Sequence, residues 1–303
     1  MVNPNFIVIG APKAGTTSLY HYLRQHPEVY MPEHKEPHFF AYEGETVTFC
    51  GPGDDWLNEA AVTTAEEYQS LFEEAPAGAI TGEASAMYLY EEGVSDRIDA
   101  YCPDAQLIAV LRDPVERAYS SYMHVRRDGR EPIDSFEEAV AAEERRIEQE
   151  WAPLWHYTRM SEYADQVQRF QFFEERDQLH VFLFEDLVEN TDRVVQEIFR
   201  LIGVDETFDP DTEVKHNPSG IATSQAVHDF ISQPHSLKEW IKPFIPTSIR
   251  SKIARSLKRS NLKSKPELSP RVRRKLISHF RSDILELQDN LQRDLSGWLQ
   301  VDK

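Results

Sequence analysis

The sequence predicts an α/β fold, a three-layer sandwich in which a central, mostly parallel sheet is flanked by helices. Three observations carry that expectation. Short apolar runs of strand type alternate with longer stretches of helical spacing along the chain. The first run, Phe6-Ile7-Val8-Ile9-Gly10, breaks at a Gly-containing turn straight into a helix. A second buried run, Ala105 to Leu111, ends on Arg112-Asp113-Pro114 with another helix behind it. Strands are expected at Phe6 to Gly10, Ala79 to Glu83, Gln106 to Leu111 and Leu179 to Phe184. Helices are expected at Thr16 to His26, Thr64 to Phe72, Val115 to Arg127, Ser135 to Glu150, Ser161 to Glu174 and Thr191 to Ile202. Pro27 follows the first helix and Gly203 lies just past the last, as stop signals do. Val194, Val195, Ile198 and Leu201 recur at near-helical spacing and read as core.

At 303 residues, with 40% hydrophobic and 28% charged, the chain is long enough for one substantial core. No linker, repeat or low-complexity tract divides it, so residues 1–303 read as a single domain. Its apolar runs fall far short of the roughly 18 residues that suggest a membrane span. Cys50 and Cys102 are too few for a disulfide framework, and a first strand so near the first residue leaves no room for a signal peptide. The expected setting is the cytoplasm. Nothing in the sequence sets an oligomeric state.

The net charge of −19 is unevenly spread. Residues Pro234 to Arg281 hold 14 Lys and Arg against 2 Asp and Glu, a net of +12, which leaves −31 on the rest. Within this basic helical C-terminal segment, Ile241 to Pro246 and Ile249 to Arg259 look like a broken amphipathic helix with a cationic face. Such a face suits peripheral contact with an anionic acceptor or a lipid surface. Simple solvation, with neutralisation of the acidic body, is the favoured reading of a charge run. A nucleic-acid partner is not expected, because no aromatics interleave with the basic residues and the acidic remainder repels a long polyanion.

The turn Gly10-Ala11-Pro12-Lys13-Ala14-Gly15-Thr16-Thr17-Ser18 has the build of a phosphate cradle. Backbone N–H groups of Lys13, Ala14, Gly15, Thr16, Thr17 and Ser18 converge there with the positive end of a helix dipole. The spacing approaches the nucleoside-triphosphate pattern G-x-x-x-x-G-K-[ST], but Thr16 stands where the lysine belongs and Lys13 lies inside the loop. That displacement argues against ATP hydrolysis and for a shorter anion at the 5′ end. Arg112, at the carboxyl end of its strand, is placed for a second anion, and Ser120 lies two helical turns on. Standing alone, Arg112-Asp113 is as readily a local ion pair.

Together these segments resemble sulfotransferases that use 3′-phosphoadenosine-5′-phosphosulfate (PAPS). P-K-x-G-T-T-S-L after an apolar strand is similar to their 5′-phosphosulfate loop, and Arg112 with Ser120 matches the clamp on the 3′-phosphate. The resemblance implies a P-loop-type fold, Lys13 supporting the leaving phosphate of adenosine 3′,5′-bisphosphate, and no metal. It also covers Lys35-Glu36-Pro37-His38-Phe39-Phe40, which is similar to an E-x-x-F-F loop and implies Glu36 as the base. Phe39 and Phe40 are expected to shield that carboxylate and raise its pKa, with His38 as second candidate. Lys215 to Gly220 resembles the late loop over the 3′-phosphate, implying Ser219 and Gly220 as further contacts. The tail from Phe280 to Trp298 resembles the C-terminal helix of bacterial relatives.

One departure is Gly82-Glu83-Ala84, where similar polysaccharide enzymes carry a lysine at the place of Ala84. Either Lys13 acts alone there, or another cation such as Lys35 substitutes. Ser85 and Tyr88 fit an acceptor cleft or, equally, a cap and a core aromatic. Residues 126–160 fall where similar enzymes vary in acceptor recognition and are expected to form an acceptor-side lid. Trp151, Trp155, His156 and Tyr157 there read as a hydrophobic seam rather than a stacking surface. His34 and His38 lack the partners of a zinc site. The activity implied is transfer of a sulfuryl group to a hydroxyl, or less readily an amine, of a carbohydrate or small-molecule acceptor. An ATP-dependent P-loop small-molecule kinase and a non-catalytic nucleotide- or anion-binding module are the competing classes.

Overall fold

Near-continuous apolar runs suit a parallel sheet covered on both faces, and such a sheet is what forms. The computed structural model describes residues 3–212, 221–222, 262–263 and 266–301. Among them, β1 (Phe6–Gly10), β2 (Val29–Tyr30), β3 (Ile80–Ala84), β4 (Gln106–Leu111) and β5 (Leu179–Leu183) make one all-parallel sheet. Their spatial order is β2-β3-β1-β4-β5. Every residue of β1 is buried. Phe6 pairs with Gly82 on one side and Gln106 on the other. A Cβ at position 82 would lie 2.1 Å from the Phe6 ring, so only glycine admits that ring across the neighbouring strand. A two-residue antiparallel pair, Ile221–Ala222 with Leu262–Lys263, lies apart from this sheet.

After β1 the chain crosses to the edge strand β2, steps back to β3 beside β1, and then lays β4 and β5 on the other side. The order therefore reverses between β1 and β4, and the crevice beyond their carboxyl ends is where an open α/β sheet binds ligands. The loop helix (Thr16–Leu23) leaves β1 there, and the clamp helix (Pro114–Arg127) leaves β4.

Several expected elements are cut shorter by polar side chains that need partners. Ser135 to Glu150 divides into Phe136–Ala141 and Glu143–Glu148. The division lets Glu143 accept the Thr158 and Arg159 N–H groups at 2.7 and 2.9 Å. Ser161 to Glu174 becomes a 3-10 turn, Arg159–Ser161, and the short helices Ala164–Gln168 and Gln171–Glu174. There Asp283 accepts the N–H groups of Tyr163 and Ala164, both at 2.9 Å, and so starts a new helix. Phe184, expected as the end of a strand, opens the helix Phe184–Glu189 instead. Thr64 caps Ala65–Ser70 by accepting the Glu67 N–H. Thr191–Ile202 has the bounds expected, buries Val194, Val195 and Ile198, and ends on left-handed Gly203.

The segment 126–160 is stitched to the body. Arg146 makes two hydrogen bonds to Glu131, at 2.9 and 2.7 Å, both groups being buried. Its guanidinium lies over the Trp151, Trp155 and Tyr157 rings, which form the seam. Buried Asp54 accepts from Gly51 N, Ala152 N and Trp155 Nε1, and pairs with Arg130.

The C-terminal helix (Pro270–Leu291), capped by Ser269, delivers Arg273 to the start of the clamp helix. Arg273 donates to Asp113 Oδ2 at 2.9 Å and to Glu116 Oε1 at 2.7 Å, with only 7% of its side chain exposed. Arg271 and Lys275 both pair with Glu137. Arg271, Arg273 and Lys275 of the basic segment thus pair with carboxylates of the body. Ile241 to Pro246 and Ile249 to Arg259 lie outside the described residues. Replacing Arg273 by Met should cost about 3 kcal/mol or more in urea unfolding, because it strands the buried Asp113 carboxylate. An unchanged midpoint would show that the pair contributes nothing.

Candidate functional site

Gly15 enters the loop helix at φ 92, and Lys13 two residues earlier sits at φ 70. The glycine is required, since a Cβ there would press on Leu187 at 3.1 Å in a backbone region that L side chains avoid. No side chain caps the N-terminus of this eight-residue helix, so its first N–H groups remain available. The turn itself is tied to β4 by Ala11 N–H donating to Val110 O at 2.8 Å. Thr16 is buried, Thr17 and Ser18 are half-buried, and Ala14 packs in the core. Half-buried Lys13 has its pKa pushed down to about 8 by burial first and by Arg127 next, against the opposing pull of Asp128 and Glu36.

Arg112 meets this loop directly. Its Nη1 donates to the Lys13 carbonyl at 3.0 Å, its plane lies over Phe184 at 4.5 Å, and Glu116 stands 3.8 Å away. One guanidinium thus braces the loop and keeps further donors. Ser120 is buried on the clamp helix, whose N-cap Asp113 accepts from Val115 N and Glu116 N. Ser219 and Gly220 lie outside the described residues.

Glu36 also sits in the left-handed region, at φ 64, held by its N–H on Ala84 O at 3.0 Å. The strand that lacks the lysine therefore still fixes this residue, through backbone. Burial raises the Glu36 pKa, but Lys35, His38 and Lys13 outweigh it and the net direction is downward. The expected upward shift is thus corrected. Phe39 and Phe40 do not shield the carboxylate; they pack against Tyr68 and Tyr101 in the core. Lys35 forms an ion pair with Glu36, so its charge is already engaged.

His38 is fully buried at φ 58, with both ring nitrogens lacking a hydrogen-bond partner and Nε2 at 3.8 Å from Glu36 Oε2. Burial pushes its pKa down to about 4. Its N–H donates to Ser85 Oγ at 3.1 Å, and Ser85 donates to Glu83 Oε2 at 2.8 Å. Tyr88 accepts from Phe40 N and is buried. Ser85 and Tyr88 are therefore framework. Glu83 is pushed up to about 7 by burial, against hydrogen bonds from Tyr88, Ser85 and Tyr68.

A sheet-order reversal, a displaced loop lysine and a guanidinium bridging both turns are the features now in place. The family model described as Sulfotransferase family matches residues 4–210. The chain belongs to the sulfotransferase family. A sulfotransferase from Alicyclobacillus acidocaldarius superposes with TM-score 0.78 at 33% identity, covering 99% of this chain and 100% of that one. Mouse carbohydrate sulfotransferase 15 is 32% identical over 169 residues, 46% of this chain and 30% of the mouse protein. Human heparan sulfate glucosamine 3-O-sulfotransferase 6 is 36% identical over 121 residues, 39% of this chain and 30% of the human one. The matches span under a third of the length of these two relatives.

In this family member, sequence reasoning passed over a cluster at the far end of the clamp helix. Arg127 donates through Nη2 to His124 Nδ1 at 2.7 Å and through Nε to Asp128 Oδ1 at 2.9 Å. Its charge lowers the Lys13 pKa, and His124 is held down by burial first and by Lys13 next. Helical spacing of i and i+3 from Arg112 onward was the available signal, but only the loop reveals what faces it.

His38 makes acid stability testable. A buried imidazole titrating at about 4 instead of 6.5 leaves the folded state binding fewer protons, so stability should fall as pH drops through that window and level off below it. The His38 share is up to about 3 kcal/mol. Urea unfolding of His38→Gln from pH 7 to 4 should show a shallower decline than the parent; identical slopes would exclude this source.

Proposed function

We propose that the chain moves a sulfuryl group from PAPS to a hydroxyl of a saccharide or small-molecule acceptor, with Glu36 as base and Lys13 supporting the leaving phosphate. The observation that supports the reading is the Arg112 Nη1 contact to the Lys13 carbonyl, by which the turn after the first strand and the end of the fourth lie side by side. An adenosine phosphorylated at both ends needs two such turns. The uncapped loop helix with Lys13 suits its 5′ side, and Arg112 with Ser120 suits its 3′ side.

PAPS supplies an activated sulfuryl group whose sulfur–oxygen bond to the 5′-phosphate breaks as the bond to the acceptor oxygen forms. Glu36 takes the acceptor proton: its carboxylate is ionised at neutral pH and retains 27% side-chain exposure. His38 has no such exposure, so it stands behind Glu36 and not in front of it. Lys13 places its charge where negative charge grows on the leaving oxygen, favouring the transition state over the ground state. Thr16 in the Walker-lysine position leaves a triphosphate without its usual cation, which weighs against the kinase class.

Calorimetry should show adenosine 3′,5′-bisphosphate binding well ahead of ATP with Mg²⁺; preference for ATP would overturn the reading. Glu36→Gln should lower kcat by about two orders of magnitude or more while bisphosphate affinity stays put, and near-normal turnover would remove Glu36 from the role. The bisphosphate should also bind more weakly above about pH 8, as free Lys13 loses its proton. In Lys13→Ala that alkaline decline should vanish along with much of the affinity. A parent profile flat to pH 10 would place the cation elsewhere.

A further inference from the structure

We propose that Arg127 is a second charged contact for the sulfated end of the donor, held by His124 and Asp128 so that its remaining donors meet the sulfuryl oxygens beyond Lys13. This rests on the sulfotransfer reading above. The clamp helix carries a polar stripe, Glu116, Ser120, His124 and Arg127, whose helical spacing puts all four on one face. Val115, Ala118, Tyr122 and Val125 beside it are buried. The stripe starts where Glu116 stands 3.8 Å from Arg112, passes Ser120, and ends two turns further on at Arg127. Because Arg112 with Ser120 suits the 3′ side, the far end of the stripe lies toward the other end of the ligand. Lys13 serves that end too. Among the charged groups around its ammonium, Arg127 acts on it more strongly than Asp128, Glu36 or Arg112.

Arg127 is fixed in place by its neighbours. Nη2 donates to His124 Nδ1 at 2.7 Å, and Nε donates to Asp128 Oδ1 at 2.9 Å. An imidazole that accepts at Nδ1 is neutral and carries its proton on Nε2, which lies 3.7 Å from Asp128 Oδ2. Burial first and Lys13 next keep it uncharged. Nη1 of Arg127 has no partner among the described residues, and 19% of the side chain is exposed. A guanidinium held along one edge with its other edge open suits an anion that presents several oxygens. Other nearby cations are already engaged: Lys35 pairs with Glu36, and Arg130 with the Pro52 carbonyl and Asp54. Asp128 offsets part of the Arg127 charge, yet Arg127 and Lys13 still repel each other until an anion comes between them.

Calorimetry of the full chain without acceptor, using PAPS, adenosine 3′,5′-bisphosphate and adenosine 3′-phosphate, tests the assignment. Arg127→Gln should weaken PAPS by about tenfold, the scale of one charge-assisted contact, and the bisphosphate far less. Adenosine 3′-phosphate reaches only the Arg112 and Ser120 side, so it should bind parent and variant alike and report an intact fold. The second readout is the pH at which bisphosphate binding declines. Removing a positive neighbour strengthens the hold of Lys13 on its proton, so the decline should move to higher pH, with Asp128, Glu36, Arg112 and His124 still facing Lys13. Equal losses for PAPS and the bisphosphate, no loss of PAPS, or an unmoved alkaline decline overturns the proposal. A parent that binds the bisphosphate beside an indifferent Arg127→Gln sinks this proposal alone, whereas a parent that fails to bind it sinks the sulfotransfer reading as well.

Discussion

The hydrogen bond from Arg112 to the Lys13 carbonyl depends on one topological fact: β1 and β4 are adjacent parallel strands whose following helices go separate ways. Had the strand order not reversed there, the two turns would lie on different parts of the sheet edge and no single ligand would span them. The reversal places the helix N-terminus beside the guanidinium. β1 and β4 are both inner strands of a sheet covered on both faces, which is why their burial is nearly complete.

Around that crevice, charge is arranged in opposition. Glu36 and Glu83 are both buried carboxyls, yet Lys35, His38 and Lys13 draw the Glu36 pKa down, whereas Glu83 has only neutral donors and goes up to about 7. Two similar carboxyls are thereby driven to different protonation tendencies, a separation typical of sites that move protons. Lys13 is subject to the same logic with reversed sign: burial and Arg127 weaken its hold on a proton that a bound phosphate would restore.

The loop, the guanidinium and four of the sheet's five strands were legible because each has a local signature. A strand running into Gly15, or into Arg112-Asp113-Pro114, needs no distant contact to be recognised. Thr191–Ile202 was legible for a similar reason, its apolar stripe and Gly203 stop being local. The broken helices were not, because Asp283 and Arg159 act from far along the chain or from a following turn. The Glu36 pKa was misjudged because burial, which does raise it, is outweighed by Lys35, His38 and Lys13, and Lys13 comes from a distant turn; Phe39 and Phe40 meanwhile turn away into the core. Glu83 and the His124–Arg127–Asp128 cluster needed the third dimension altogether.

For a chain of net charge −19, binding the multiply charged anion proposed above would pose an electrostatic problem, and the geometry answers it through distance. At physiological salt the Debye length is about 8 Å, so most of the acidic surface is screened from the crevice. Within it, the helix N-terminus, Lys13, Arg112 and Arg127 act at short range through poorly screened space. Arg271, Arg273 and Lys275 of the C-terminal helix do not add to that field, because they are taken up by Glu137, Asp113 and Glu116. Arg273 acts instead by holding the clamp helix at its N-cap, and so helps fix where Arg112 stands.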